Sequence, residues 1–497
     1  MGHSVEERLV SILEYLLPNL PWVATVVAVS DLIIILVAIP WILAIKKEPS
    51  SAVAWCLVVI LVPLFGFLLF LVLGYTHVYR PLRKKRRHRA RFRARNAPAG
   101  MAPVLSKEVD VDPAGTYLRL GEVAIKLGAF PVVGGNEVTL YHETQPAFTE
   151  LLDAIKDSTE TIHVEFFIIQ PDETGQTLLD LLKSKAKAGV TVRLLYDAIG
   201  SRRLSRKLLQ SVRDAGIKLA PFMPLDPLRR RFQINMRNHR KIVVLDGRLA
   251  FTGGMNIGDE YLGKVKRFGY WRDAFLRLEG PGVLGLQRIF AEDWDFAAGE
   301  SLQGEKCFPQ LKPVGDQVVQ IIESGPDQEL NAMRELIFAA IAVAKERIWI
   351  STPYIVPDRG ILDALRMSAR FGIDVRLLWL FKPDHQLPYY AARYLLPELL
   401  DEGVKVYQYS RGMMHAKYMI VDGKWGWVGS TNLDNRSLVL NFEANCILHS
   451  PPLLGELEEA FRKDLDESIR MEAKAFAGRP FVGRMIENGC RLLSPLL

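Results

Sequence analysis

The run HRKIVVLDG, which carries His239, Lys241 and Asp246, returns as HAKYMIVDG with His415, Lys417 and Asp422, and this duplication constrains the fold more than any other feature. A small-residue pair and an asparagine follow each copy at matched distance: Gly253, Gly254 and Asn256 against Gly429, Ser430 and Asn432. Every element therefore recurs after 176 residues, the distance from His239 to His415. One H-x-K-x4-D pattern can arise by chance in a chain this long, but two copies, each trailed by G-x-x-N, cannot. Both lie in apolar runs that end on Asp-Gly, a turn signal, and then resume. Each is expected to form a β-hairpin whose first strand carries His and Lys on one face. The repeat extends further, since GVTVRLLYD (189–197) echoes GIDVRLLWL (372–380) and IIQPD, ending at Asp172, echoes YIVPD, ending at Asp358. Asp273 and Glu443 each stand eight residues before a proline, Pro281 and Pro451, and so occupy equivalent strand positions. The chain reads as two similar α/β units that build one active site from two half-sites.

With 497 residues, 49% of them hydrophobic, two full cores can be buried with apolar sequence to spare, and the spare part is at the front. Residues 23–45 are apolar apart from Asp31 and Pro40, and 52–74 contain no charge. Each run is long enough to span a bilayer, and the short KKEPSS connection makes them a helical hairpin. No A-x-A-like site follows either run, so they are expected to be retained rather than cleaved. Behind them, residues 80–95 hold ten Lys or Arg and no acid, and without those ten the net charge falls from +7 to −3. The remaining body lacks the cationic surplus of a nucleic-acid binder. The basic run, set against Lys46 and Lys47 in the hairpin turn, places the N-terminus and the body on the cytoplasmic side. It fits either a solvated linker or a contact with anionic headgroups. Residues 4–18 and the closing FVGRMIENGCRLLSPLL have helical apolar spacing, which suits an interfacial helix or a further packing helix. The expected organisation is an amphipathic helix at 1–21, the transmembrane hairpin at 22–75, a basic juxtamembrane linker at 76–118, and α/β units at 119–305 and 306–497, the second ending in an amphipathic segment.

Cys56, Cys307, Cys446 and Cys490 are too few and too scattered for a disulfide framework or a zinc site. No His or acid pair has metal-ligand spacing such as H-E-x-x-H, and H-x-K sets an ammonium where a cation would bind. No metal or cofactor is therefore expected. Phosphodiester transfer without metal needs a nucleophile, a proton donor for the leaving oxygen and fixed positive charge on the non-bridging oxygens. Two H-x-K-N sets supply these: one imidazole attacks phosphorus while the other protonates the departing alkoxide. Lys241 and Lys417, with the amides of Asn256 and Asn432, would hold the phosphate oxygens. Asp273 is assigned to orient His239, and Glu443 to orient His415, each accepting the Nδ1 proton. Asp246 and Asp422 complete the catalytic motifs, yet at their Asp-Gly turns they are expected to anchor the turn rather than touch substrate. His142, His163, His385 and His449 have no repeated partner and read as ordinary core or surface histidines.

The paired motifs resemble the HKD signatures of the phospholipase D superfamily, and the resemblance to its bacterial cardiolipin synthases runs almost end to end. It is carried by EPSSAVAWCLVVILVPLFG, GNEVTLYHE, HVEFFII, NHRKIVVLDGRLAFTGGMNIGDEYLG, WRDAFLRLEGP, MHAKYMIVDGKWGWVGSTNLDNRS and RLLSPLL. GGMNIGDEY followed by WRD is much more specific than the HKD pattern alone. The resemblance implies an α/β protein in which two pseudo-symmetric phospholipase D-type α/β/α sandwich units form one catalytic body behind the transmembrane hairpin. It implies phosphatidyl transfer between two phosphatidylglycerol molecules, giving cardiolipin and glycerol through a phosphatidyl-histidine. His239 would be the nucleophile and His415 the acid/base. Anionic phospholipids would be the partners, at the bacterial inner membrane and without nucleic acid, and a homo-oligomer stays open. A water acceptor, as in a hydrolytic phospholipase D, or a serine acceptor, as in a phosphatidylserine synthase, would use the same motifs. Phe275 stands where similar sequences often carry histidine, a departure expected to alter headgroup contacts. Arg229, Arg230 and Arg231 suit either headgroup binding or a solvated loop.

Overall fold

The computed structural model describes residues 20–46, 49–74, 82, 85–90, 115–224 and 235–494. The expectations for residues 4–18 and for Arg229, Arg230 and Arg231 lie outside the described residues. By internal contacts the chain forms two units, the apolar helices of the first 81 residues and a body that begins at Leu82.

In the first unit, α1 (Leu20–Ile45) is an apolar helix of 26 residues, about 39 Å at 1.5 Å per residue, enough to cross a hydrocarbon core. Among the described residues it is the one helix long and apolar enough to span a membrane. The expected second span is broken into α2 (Pro49–Leu61), α3 (Pro63–Leu69) and a π-helical turn, Phe70–Gly74. The cause is Pro63, which lacks an N–H and drives Val62 out of helical geometry, to φ −141° and ψ 77°. The pieces still fold back on α1, with Ala38, Ile42, Val59 and Phe70 buried between them and Trp41 against Phe67 and Phe70. Gly66 lets α3 follow close on the end of α2, because a Cβ there would sit 2.5 Å from the Val58 carbonyl oxygen. Leu36, Leu61 and Phe65 point outward, 63–76% exposed, as lipid-facing side chains do.

The body shows the duplication as topology. Its first half contributes β1 (Val133–Glu143), β2 (Thr161–Phe166), β3 (Thr191–Asp197), β4 (Lys218–Phe222), β5 (Lys241–Leu245), β6 (Leu249–Gly253) and β7 (Tyr270–Glu279). The second contributes β8 (Gln317–Ser324), β9 (Arg347–Ser351), β10 (Ile355–Val356), β11 (Asp374–Leu380), β12 (Lys405–Tyr409), β13 (Gly412–Met414), β14 (Tyr418–Val421), β15 (Trp425–Gly429), β16 (Leu433–Asp434), β17 (Glu443–Leu448) and β18 (Ser468–Arg470). The first half runs β1-β7-β6-β5-β2-β3-β4 and the second β8-β17-β15-β14-β9-β11-β12, the same order strand for strand. In both, the last three strands are parallel and the others antiparallel. The halves join edge to edge where β1 pairs antiparallel with β8, giving one continuous sheet.

Every residue of inner strands such as β2, β5 and β17 is buried, His163, Glu165, Lys241 and Glu443 included, the mark of strands covered on both faces. The first half carries α4 (Thr116–Lys126), α5 (Thr144–Asp157), α6 (Glu173–Lys187), α7 (Arg206–Asp214) and α8 (Val283–Ala298). The second carries α9 (Ala332–Val343), α10 (Arg359–Arg370), α11 (Gln386–Leu400), α12 (Pro451–Asp466), α13 (Ala473–Ala477) and α14 (Phe481–Arg491). Asp172 and Asp358, the ends of the matched IIQPD and YIVPD runs, are the N-caps of α6 and α10, accepting from backbone N–H groups two or three residues on.

One segment departs from the expected linker. Residues 85–90 are a helical turn seated on the body, with Lys85 1% exposed and its Nζ 2.7 Å from Asp293 and 3.4 Å from Asp327. Arg89 pairs with Glu292, Glu323 and Asp327, and Arg86 donates to the Asp327 carbonyl oxygen. Cations leave water at acceptable cost only where carboxylates receive them, so Lys85 and Arg89 are neither part of a solvated linker nor available to lipid headgroups.

Candidate active site

The two hairpins form as the repeat requires. β5 turns into β6 through Asp246-Gly247 and β14 into β15 through Asp422-Gly423, with φ between 52° and 65° at all four residues, the mirror-image turn that fits strand twist. The histidines, however, stand two and three residues before β5 and β14 rather than within them. Each precedes its strand on a short segment that pairs with the opposite half. Asn238 bridges to Phe442, and the His239 N–H donates to the Phe442 carbonyl at 2.9 Å. Likewise β13 pairs with β7, and the His415 N–H donates to the Arg272 carbonyl at 2.8 Å.

This exchange overturns the expected pairing of histidines and acids. His239 Nδ1 lies 2.9 and 3.1 Å from the carboxylate oxygens of Glu443, and His415 Nδ1 lies 2.6 Å from Asp273 Oδ2. Each imidazole is oriented by the acid of the other half. The physical reason is backbone register: the residue after Phe442 is Glu443 and the residue after Arg272 is Asp273, so pairing each histidine segment with the foreign strand delivers the foreign acid. Both acids are buried and are held ionised, below the usual carboxylate range, by the imidazoles and lysines beside them against the opposing effect of burial.

The surroundings differ in detail. The Ser430 hydroxyl donates to Glu443, whereas the equivalent Gly254 has no side chain because a Cβ there would fall 2.0 Å from Asp273 Oδ1. Phe167 packs edge-on to His239 at 5.0 Å, and Trp271 lies 5.1 Å from His415. Lys241 donates to the His239 carbonyl at 2.6 Å and Lys417 to that of His415. Lys417 Nζ is also 2.9 Å from His415 Nδ1, but that nitrogen cannot both donate to Asp273 and accept from an ammonium, and the shorter contact with a buried carboxylate takes its hydrogen. Asn256 accepts from the Ile168 N–H at 3.3 Å. Asn432 is buried, its Oδ1 without a hydrogen bond in the structure.

The electrostatics join both halves. Burial lowers His239 to about 4, with Lys241 and Lys417 acting in the same direction and Glu443 opposing. Burial also lowers His415, reinforced by Lys417 and opposed by Asp273. Lys241 falls to about 7 and Lys417 to about 8, again chiefly through burial, each raised in part by both Glu443 and Asp273. At neutral pH His239 is thus neutral, its Nδ1 hydrogen held by Glu443 and its Nε2 lone pair available. A phosphate monoanion brought between the lysines would favour their charged forms.

Asp246 and Asp422 do not join this cluster. The Asp246 carboxylate accepts from the backbone N–H groups of Thr159, Glu160 and Thr161 and from Ser158, and Asp422 from those of Lys345, Glu346 and Arg347 and from Tyr117. They tie each hairpin turn to the start of β2 and β9, so their place in the catalytic motif is structural. His163 stacks on Phe290 in the core, His449 is buried, His142 meets Glu456, and His385 is an exposed neighbour of Asp384. Phe275, expected near headgroups, is buried in the first-half core and stacks on Phe251. The four cysteines are free thiols. Among the described residues no group of three or more His, Cys, Asp or Glu could hold a metal.

Arg240 escaped the sequence reading. It points to the strand face opposite His239 and Lys241, pairs with Asp293 and Glu323, and its Nε donates to the Glu443 carbonyl at 3.1 Å. Lys85 reaches the same Asp293, so the segment behind the apolar helices braces the strand that carries a catalytic-site acid. The second motif has Ala416 at this position, and comparison of the repeats therefore hid the arginine.

Two equivalent α/β halves with crossed His–acid pairs and paired lysines and asparagines define a protein of the phospholipase D class. A family model described as cardiolipin synthase, PLD-like domain, matches residues 151–282 and 337–465, and one described as phospholipase D-nuclease N-terminal matches 23–74. A cardiolipin synthase of Geobacillus sp. (strain WCH70) is 40% identical over 460 residues, covering 91% of this chain and 90% of its own length. One from Alkalihalophilus pseudofirmus is 40% identical over 458 residues with the same coverage. The phosphatidylserine synthase of Haemophilus influenzae shares the fold, with a TM-score of 0.58 at 15% identity over 76% of this chain and all of that one. The chain belongs to the cardiolipin synthase family, and with it to the membrane-associated phosphatidyltransferases.

Proposed function

We propose that the chain joins two phosphatidylglycerol molecules into cardiolipin, releasing glycerol. His239 Nε2 attacks the phosphorus of the first lipid, forming a P–N bond, while the P–O bond to glycerol breaks and the departing oxygen takes the Nε2 proton of His415, which enters this step as the imidazolium. His415 then removes the proton from the terminal glycerol hydroxyl of the second lipid, whose oxygen attacks phosphorus and expels His239. Lys241, Lys417, Asn256 and Asn432 hold the phosphate oxygens, Glu443 orients the nucleophile and Asp273 the acid/base. The observation that carries this reading is the exchange itself, because each imidazole depends on a carboxylate from the opposite half and neither half contains a complete site.

The same reading places the body and N-terminus on the cytoplasmic side of the bacterial inner membrane, with both apolar runs crossing, on the strength of the cations behind residue 74. Purified protein given phosphatidylglycerol alone should yield cardiolipin and glycerol in equal amounts. Phosphatidic acid without cardiolipin would establish water as the acceptor, and product that appears only with added serine would establish serine. His239→Ala and His415→Ala should each abolish turnover, and a phosphatidyl adduct located on His415 would reverse the two roles.

A further inference from the structure

The helix α14 faces the wrong way for a protein surrounded by water. Its one fully buried side chain is a glutamate, Glu487, which receives Arg393 Nε at 2.7 Å and Arg479 Nη1 at 2.5 Å where α14 packs on α11. Arg491 bonds the Tyr394 hydroxyl of α11 at 2.8 Å, and Phe476 lies between the Arg393 and Arg479 guanidiniums, at 4.8 and 3.8 Å. The helix is therefore anchored by its polar side. Its other side presents Phe481, Val482, Met485 and Ile486, continued by Leu492 and Leu493, with exposures from 43% to 79%. The spacing i, i+1, i+4, i+5 makes one apolar stripe, which a soluble helix would turn inward. Arg484 and Arg491 are exposed beside it.

The stripe lies beside the candidate active site at both ends of its support. Asn435, three residues after Asn432, donates to the Ser494 carbonyl just beyond α14 at 3.2 Å. Its platform α11 begins after Asp384, which binds the Tyr354 hydroxyl and whose charge bears on His415 and Lys417. Phe381 and Leu387, flanking Asp384, add further exposed apolar surface.

We propose that the outward face of α14 is a lipid-docking surface, seating the mouth of the site in the headgroup layer of an anionic bilayer. This rests on the reading of the substrate as a phospholipid. The occupant is a bilayer because the same chain carries the apolar α1, the stripe is flanked by guanidiniums that complement anionic headgroups, and its carboxylate is turned inward, away from them. An interfacial helix of this kind sinks about 5–10 Å into the boundary between headgroups and acyl chains.

The test uses the full chain in phosphatidylglycerol vesicles, with Cys56→Ser and Cys490→Ser removing the accessible thiols and an environment-sensitive fluorophore on Met485→Cys. Blue-shifted emission, quenched by bromine atoms on the lipid acyl chains, is expected, with neither effect for a label on Lys463→Cys of α12. Emission like that in water would overturn the proposal, and so would a blue shift without lipid quenching, which would mean that protein covers the stripe, whether a second copy or another segment. The double substitution Val482→Glu and Ile486→Glu should lower turnover on vesicles roughly tenfold while leaving turnover on short-chain, monomeric phosphatidylglycerol unchanged. Equal losses on both substrates would count against docking. Quenching does not depend on turnover, so a wild-type protein that is quenched but makes no cardiolipin would retain the docking surface and refute the proposed reaction.

Discussion

His239 has a single Nδ1 hydrogen, and the acid that holds it decides which chemical step each substitution impairs. With Glu443 on His239, Glu443→Gln should slow formation of the phosphatidyl-histidine; with Asp273 on His415, Asp273→Asn should slow both proton transfers, so that adduct once formed turns over slowly. Each should cost about 10²–10⁴ in kcat, and rapid-quench trapping of radiolabelled adduct separates them. The pairing expected from the sequence would give the reverse pattern. The pH dependence of kcat/KM follows from the same contacts. Activity should fall as pH drops toward 4, where His239 protonates, and fall again above 7 to 8, where Lys241 and Lys417 lose the charge that holds phosphate. Glu443 raises the His239 value, so Glu443→Gln should move the acid limb to lower pH. For stability, His239 is depressed from 6.5 to about 4 on folding, so its contribution is intact above 6.5 and is lost as pH falls toward 4. Denaturant unfolding at several pH values checks that sign.

At the scale of elements, two devices hold the catalytic strands. The first is the pair of turn carboxylates. Asp246→Asn keeps a residue that tolerates φ 52° but removes the charge that gathers three backbone N–H groups, at an expected cost of about 1–3 kcal/mol. Turnover per folded molecule should change little, which distinguishes an anchor from a catalytic group. The second is the ion cluster beneath the first motif. Lys85→Met removes the buried cation that Asp293 and Asp327 share, leaving them only Arg240 and Arg89, and should destabilise the body by about 3 kcal/mol. Arg87→Met, on the same helical turn but exposed, should stay within about 0.5 kcal/mol. Calorimetry of the two variants in detergent makes the comparison; equal stability would mean that Lys85 is not the brace its contacts describe.

At the scale of the whole molecule, the two halves form one sheet and one site, so half a chain has no partial function to lose. A mixture of His239→Ala and His415→Ala proteins should be as inactive as either alone, because each molecule lacks one of the two imidazoles its own site needs. Activity restored on mixing would require histidines shared between chains, an oligomeric site that the internal exchange makes unnecessary. The apolar α1 belongs to this scale too: it is long enough to cross a bilayer, and the broken second run packs on it through Trp41, Phe67 and Phe70.

The two-fold α/β plan, the hairpins and their Asp-Gly turns, the repeated His, Lys and Asn positions and the long apolar α1 were all legible in the chain, because periodicity, turn chemistry and repetition are properties of neighbouring residues. What the sequence could not express was contact between residues two hundred positions apart. Asp273 was paired with His239 because they are near in sequence, whereas strand exchange hands His239 to Glu443; Phe275 looked like a surface position until packing buried it; and Lys85 looked like part of a solvated run until the acids of α8 and the loop after β8 received it. Local pattern specified the candidate residues, and the register with which the two halves meet, set by long-range backbone pairing, decided which of them lie in contact.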